Sequence, residues 1–110
     1  KKLSQARTYA QKAISFNENY GEPYILLAQM YGSNPNWSDE PALNRCTYYV
    51  VIDKLQRAKA VDPSVTDKVN ELIATYARHT PQAKDLFMLG YKAGDRITIG
   101  GWIGESTTIR

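Results

Sequence analysis

A second cysteine, a second histidine and any long apolar run are all missing from this sequence. Cys46, the one cysteine among 110 residues, has no internal disulfide partner and so reveals no redox compartment. It reads as a small buried thiol on a helix rather than a nucleophile, because the lone histidine, His79, lies in another segment. No metal is expected, since His79 has no second His or Cys at ligand spacing. No apolar stretch approaches the roughly 18 residues that cross a bilayer, so no membrane span is expected. Runs of like charge are missing as well: 14 Lys and Arg are interspersed with 11 Asp and Glu, for a net charge of +3. Without a basic stripe to neutralise phosphates, nucleic acid is not expected as a partner. The chain opens on Lys1-Lys2-Leu3 rather than methionine. It therefore reads as a processed protein or a piece of a longer one, in which a leader segment would be invisible.

What is present is helical punctuation. With 43% hydrophobic and 23% charged residues, the composition is that of one globular domain. Leu3, Ala6, Ala10, Ala13 and Ile14 fall at helical spacing and predict a first helix over 3–16 with a narrow alanine-rich face. Pro23 opens a second helix to Tyr31, where Gly32 reads as a stop. Its residues Tyr24, Leu27, Ala28 and Tyr31 share one face, with the small side chain inviting close approach by a neighbour. A polar loop follows, with Trp37 in it. Ser38 reads as the N-cap of a long helix over 42–60, which Asp62-Pro63 ends. Helices over 64–78 and 82–89 come next. After Lys92 the pattern changes: Arg96-Ile97-Thr98-Ile99 alternates as a half-buried strand does, and Gly100-Gly101 suits a tight hairpin turn before a returning strand over 102–109. The hairpin is expected to cover the last helical pair through Ile97, Ile99, Trp102, Ile103 and Ile109.

Two stretches repeat. Ala13 to Ala58 is 45 positions, as is Tyr24 to Val69. Tyr24, Leu27, Ala28 and Tyr31, followed by Val51, Leu55, Ala58 and Pro63, resemble the two helices of a tetratricopeptide repeat, although Val51 replaces the usual alanine. That family repeats every 34 residues. The 11 extra positions would then sit in a loop inserted at 32–45. The resemblance covers about residues 4–78 and implies a mainly α fold of tetratricopeptide-like antiparallel helix pairs, an α-solenoid fragment over 1–92, with the β-hairpin at 93–110 as its cap. Gly21-Glu22-Pro23-Tyr24, Val61-Asp62-Pro63 and the closing stretch from Gly100 to Arg110 also resemble the C-terminal end of helical-repeat proteins from Bacteroidetes. That second resemblance implies export from the cytoplasm, and no activity.

Candidate chemistry is sparse. Gly100-Gly101-Trp102-Ile103-Gly104 lacks the Lys-Ser/Thr of a phosphate-binding loop, and no helix pattern follows it. No cofactor is expected. Asp39 and Glu40 are neighbours that would not face each other on a helix, so they suit its first turn better than acid–base chemistry. What the repeat resemblance does imply is a binding groove lined by the first helices of each unit. Carried onto this sequence, its positions are Glu22, Ile25 and Gln29, and then Asp67, Asn70 and Ala74. Their polar and small side chains suit an extended peptide. Trp37 reads either as a partner anchor or as a lid folded back over the helices. The expected function is a protein- or peptide-binding scaffold without catalysis. The alternative is a small-ligand or enzymatic domain whose cleft lies between helices and hairpin, near Trp37, Tyr91 and Trp102.

Overall fold

The computed structural model describes residues 2–110, with side chains from Ser4 onward; the packing expected of Leu3 lies outside the described side chains. The elements in order are α1 (Lys2–Phe16), α2 (Glu22–Ser33), α3 (Pro41–Arg45), α4 (Thr47–Val61), α5 (Thr66–Ala77), α6 (Ala83–Met88), β1 (Arg96–Thr98) and β2 (Ser106–Thr108). A 3-10 turn over Pro63–Val65 joins α4 to α5. The chain is mainly helical and closes on a small antiparallel sheet.

The pair α2 and α4 makes the centre of the core. Glu22 and Pro23 stand in the first turn of α2, where a carboxylate suits the helix dipole and a missing N–H costs nothing. Along its length Tyr24, Leu27, Ala28 and Tyr31 are buried, as the spacing predicts. From α4 come Val51, Leu55 and Ala58, all fully buried. The start of α2 meets the end of α4, where Asp62 accepts the Gly21 N–H at 2.9 Å, so the two helices run antiparallel.

Two glycines make this closeness possible. Gly21 has an ordinary φ of −78°, so turn dihedrals are not its reason for being there. A Cβ on it would stand 2.9 Å from both Asp62 Cβ and Val65 Cγ2. Gly32 is not the stop predicted for α2, which runs on to Ser33. It lies where a Cβ would be 2.7 Å from the Tyr76 ring, so its bare backbone admits that ring.

The predicted long helix over 42–60 is divided at Cys46. There the N–H bonds the Leu43 carbonyl at 3.0 Å, a tighter turn than the α-helix, and the buried Thr47 hydroxyl donates to the Pro35 carbonyl of the loop between α2 and α3 at 2.9 Å. Ser38 is not the helix N-cap. Its hydroxyl accepts the Glu40 N–H at 3.0 Å one turn earlier, and Glu40 takes the N-cap position of α3. Asn44 closes the loop, accepting the N–H groups of Trp37 and Ser38 at 3.0 and 2.8 Å.

The hairpin differs from expectation in its turn. Arg96 pairs with Thr108, Ile97 with Thr107 and Thr98 with Ser106. The connection is therefore a loop over 99–105, in which Gly101 and Gly104 have φ of 66° and 59°, and the returning strand is only Ser106–Thr108. Gly100 keeps negative φ and serves as a floor for the Trp37 ring. Ile97, Ile99, Ile103 and Ile109 are buried as predicted, whereas Trp102 is half-buried. The tail meets α4 through β2, and Ile109 also lines a cleft with Leu86 and Phe87 of α6. Thr107 donates to Asp53 at 2.6 Å, and Arg110 also pairs with Asp53. Glu105 accepts the Tyr31 hydroxyl at 2.6 Å and pairs with Lys54 at 2.7 Å.

The joint at Gly21 yields a direct expectation. Gly21→Val forces branched carbons into a space bounded by Asp62, Val65 and the Ala58 carbonyl. It should lower stability by about 1–3 kcal/mol in urea unfolding. An unchanged midpoint would contradict the packing described.

Candidate functional site

Three of the predicted groove residues come together. Glu22, Ile25 and Gln29 line a cleft of about 440 Å³ between α1 and α2, whose other wall carries Tyr9, Ala10 and Ala13. Glu22 is half-buried and Gln29 exposed, but Ile25 is only 1% exposed and forms the floor. It is therefore a packing residue with one edge in the cleft. Leu26, at 40% exposure, sits on the rim.

The α5 half does not join this cleft. Asp67, Asn70 and Ala74 are exposed on α5. Lys68 reaches Glu22 at 3.1 Å, so the edge of α5 next to Asp67 faces α2. Asn70 lies on the other side of the buried Val69 and accepts from Lys59 of α4 at 3.1 Å. Successive helical residues point about 100° apart, which puts Lys68 and Asn70 on opposite flanks of the same helix. Ile25 and Asn70 are 45 positions apart and do the same thing: each faces the helix that precedes its own.

The residues the sequence reading missed lie on α1. Tyr9 is 73% exposed and Phe16 is 87% exposed, unusual for large apolar side chains. With Lys12, Ala13, Asn17 and Tyr20 they line a second cleft of about 370 Å³, continuous with the first through Tyr9, Ala13 and Tyr20. The signal was available, since Tyr9, Ala13, Phe16 and Tyr20 step by four, three and four. Ala10, at 1% exposure, lies beside this stripe, about 60° round the helix from Ala13, where α1 packs into the core. The apolar face of α1 is thus broader than the alanine-rich face alone, and Ala13 belongs to both parts.

The turn that ends α1 repeats the turn that ends α4. Asn17 accepts the Asn19 N–H at 3.1 Å, and 45 positions later Asp62 accepts the Ser64 N–H at 3.1 Å. Asp62 then uses its second oxygen for Gly21. Hydrogen bonds from Ser64, followed by the Gly21 N–H, hold its carboxyl below the ordinary value of 3.8.

Trp37 is packed on its own chain. Its indole N–H donates to the Leu43 carbonyl at 3.0 Å and its ring lies against Gly100. Trp102 meets Tyr31 edge to face at 5.4 Å, while Tyr91 lines a separate cleft with Leu86, Phe87 and Ile109. Those three aromatics therefore do not share one pocket. The His79 ring lies tilted against Tyr48, centroids 5.2 Å apart, beside an open cleft of about 450 Å³ that Arg45 and Asn36 also line. Burial pushes the Cys46 thiol up to about 11, so it is neutral and unreactive at physiological pH. Among the described residues no group of three His, Cys, Asp or Glu is placed to hold a metal ion, and no helix is long and apolar enough to cross a membrane. Comparison with family models, curated proteins and solved structures finds no match to this chain.

The Asp62 carboxylate makes stability pH-dependent. Its folded value lies below its unfolded value, so its contribution is present above about pH 4 and is lost as pH falls through the depressed folded value. Asp62→Asn keeps the turn, as Asn17 does, but removes the titration. Urea midpoints between pH 5 and pH 2 should therefore fall less steeply in the variant. Parallel slopes would show that the Asp62 carboxylate is not held by Ser64 and Gly21.

Proposed function

We propose that this chain is a protein- or peptide-binding scaffold module of helical-repeat type, built from tetratricopeptide-like antiparallel helix pairs and acting without catalysis. The observation that carries the reading is the open apolar cleft on α1 and α2, with Tyr9 and Phe16 exposed at either end of Ala13 and Leu26 on the facing rim. A patch of this kind, rimmed by Lys12, Asn17, Glu22 and Gln29, has the make-up of an interaction surface: apolar anchors inside a polar border. The repeat reading is supported by the matched turns at Asn17 and Asp62, and by the matched placement of Ile25 and Asn70. Asp67 and Ala74 extend the same module along α5, as a second polar surface beyond the Glu22–Lys68 tie.

Trp37 belongs to the architecture of the module. Its indole closes the inserted loop over the hairpin, so a partner meets the loop's polar outer side.

Selection of a random peptide library on the immobilised chain tests the reading. Peptides carrying apolar anchors should be enriched, and their affinity should fall at least about tenfold, ~1.4 kcal/mol, on Phe16→Glu or Tyr9→Glu. Both side chains are largely exposed, so neither change disturbs the fold. An absence of enrichment, or binding indifferent to both variants, would overturn it.

A further inference from the structure

We propose that the cleft between α6 and the tail is a binding site for a free medium-chain fatty acid, with its carboxylate at Lys84 and Lys92 and its alkyl chain on Leu86, Phe87 and Ile109. This goes beyond the peptide-binding reading and does not depend on it, because the cleft shares no residue with those on α1 and α2.

The chain builds the cleft by folding back on itself after α6. Leu86, at 1% exposure, forms its floor. The Leu86 carbonyl accepts the Tyr91 N–H at 2.9 Å, and Gly90, with φ of 92°, lets the chain reverse so that Tyr91 returns to the same cleft. From the tail, Ile109 is held in the wall by both of its main-chain groups. Its carbonyl accepts the Gly94 N–H at 2.7 Å, and its N–H goes to the Asp95 carbonyl at 2.9 Å. Phe87 lines the cleft yet keeps 75% of its surface exposed, so its own chain leaves this apolar wall uncovered. The volume of about 340 Å³ lies at the small end of the range for small-molecule sites.

Charge decides what kind of small molecule. Three cations line the cleft, Lys84, Lys92 and Arg110, and no carboxylate side chain does. Arg110 is already engaged, since its guanidinium pairs with Asp53 and lies over the Tyr49 ring at 5.0 Å. Neither lysine has an ion pair among the described residues. The acidic side chains next to them in sequence are turned elsewhere: Asp85 lines a different cleft, and Asp95 accepts the Lys92 N–H at 2.9 Å. An apolar wall bordered by two unmatched cations is complementary to an alkyl body with one anionic head. The chain of a fatty acid removes Phe87 and Ile109 from water, while its head meets the ammonium groups at the solvent edge, where no charge has to be buried. A membrane surface fits less well. The lining is concave, and Met88 and Leu89 share the adjoining cleft with Glu40 and Asp85, carboxylates that anionic headgroups repel.

Sodium octanoate titrated into the isotope-labelled full chain and followed by amide chemical shifts tests this, with octanol as the uncharged control. Octanoate should give saturable shifts confined to residues 83–93 and 107–110. Lys84→Gln combined with Lys92→Gln should weaken octanoate about fivefold, the worth of two partly exposed ion pairs, and leave octanol unchanged. Phe87→Ser should weaken both ligands. All three side chains are exposed, so these changes leave the fold intact. Scattered or absent octanoate shifts would overturn the proposal, and so would octanol binding the parent chain as tightly as octanoate. Shifts produced by phosphatidylglycerol vesicles but not by free octanoate would assign the surface to a membrane and overturn it equally.

Discussion

The constraint on which this fold depends is the closeness of the first turn of α2 to the turn between α4 and α5. Gly21 gives up its side chain to reach Ala58, Asp62 and Val65, and its N–H goes to the Asp62 carboxylate. With the start of α2 fixed there, Tyr24, Leu27 and Ala28 fall into register against Leu55 and Val51, and the helix arrives at its far end with Gly32 under the Tyr76 ring. The 3-10 turn over Pro63–Val65 then sends α5 alongside. A single close joint sets the relative placement of three helices, because packed interiors tolerate little slack.

A second fixed point lies at the opposite end of α2. Tyr31 is fully buried in its environment of apolar side chains, and its hydroxyl donates to Glu105, which also holds Lys54. Burial first, then the neighbouring Glu105 carboxylate, push the phenol well above its ordinary value, so it stays a donor across the physiological range. Arg7 of α1 donates to the Trp102 carbonyl in the same region. The tail therefore ties α1, α2 and α4 together through polar contacts while Ile97, Ile99 and Ile103 fill the space beneath. One surface of the helical layer is closed by the tail and another, along α1, is open.

Much of this was legible in the residues. Tyr24, Leu27, Ala28 and Tyr31 announced a buried face, and the loop around Trp37 and the inward isoleucines of the tail followed from prolines and alternation; the short helix α3 at Pro41–Arg45 lies inside the loop expected at 32–45. The failures share a physical cause: local signals were read where distant partners decide. Gly32 looked like a stop because glycine often is one, yet it answers to a ring 44 positions away. Gly100-Gly101 suggested a tight turn, but the Trp37 ring occupies the floor at Gly100 and the loop runs on to Glu105. Ile25 and Asn70 were assigned to a groove by the repeat resemblance; in the structure each faces the helix that precedes its own. The stripe of Tyr9, Phe16 and Tyr20 was missed because the alanine-rich stripe already accounted for one face of α1.

The central claim is that α1 is the less enclosed helix, packed on α2 and tied to the tail through Arg7 and Trp102, while α4 is enclosed by α2, α5 and the tail. Native-state hydrogen exchange of the amides at 8–15 against those at 50–58 tests it most directly. Partial enclosure predicts that α1 opens at a lower free energy than α4, in a sub-global step of its own. Equal protection of the two helices, opening only with global unfolding, would contradict it.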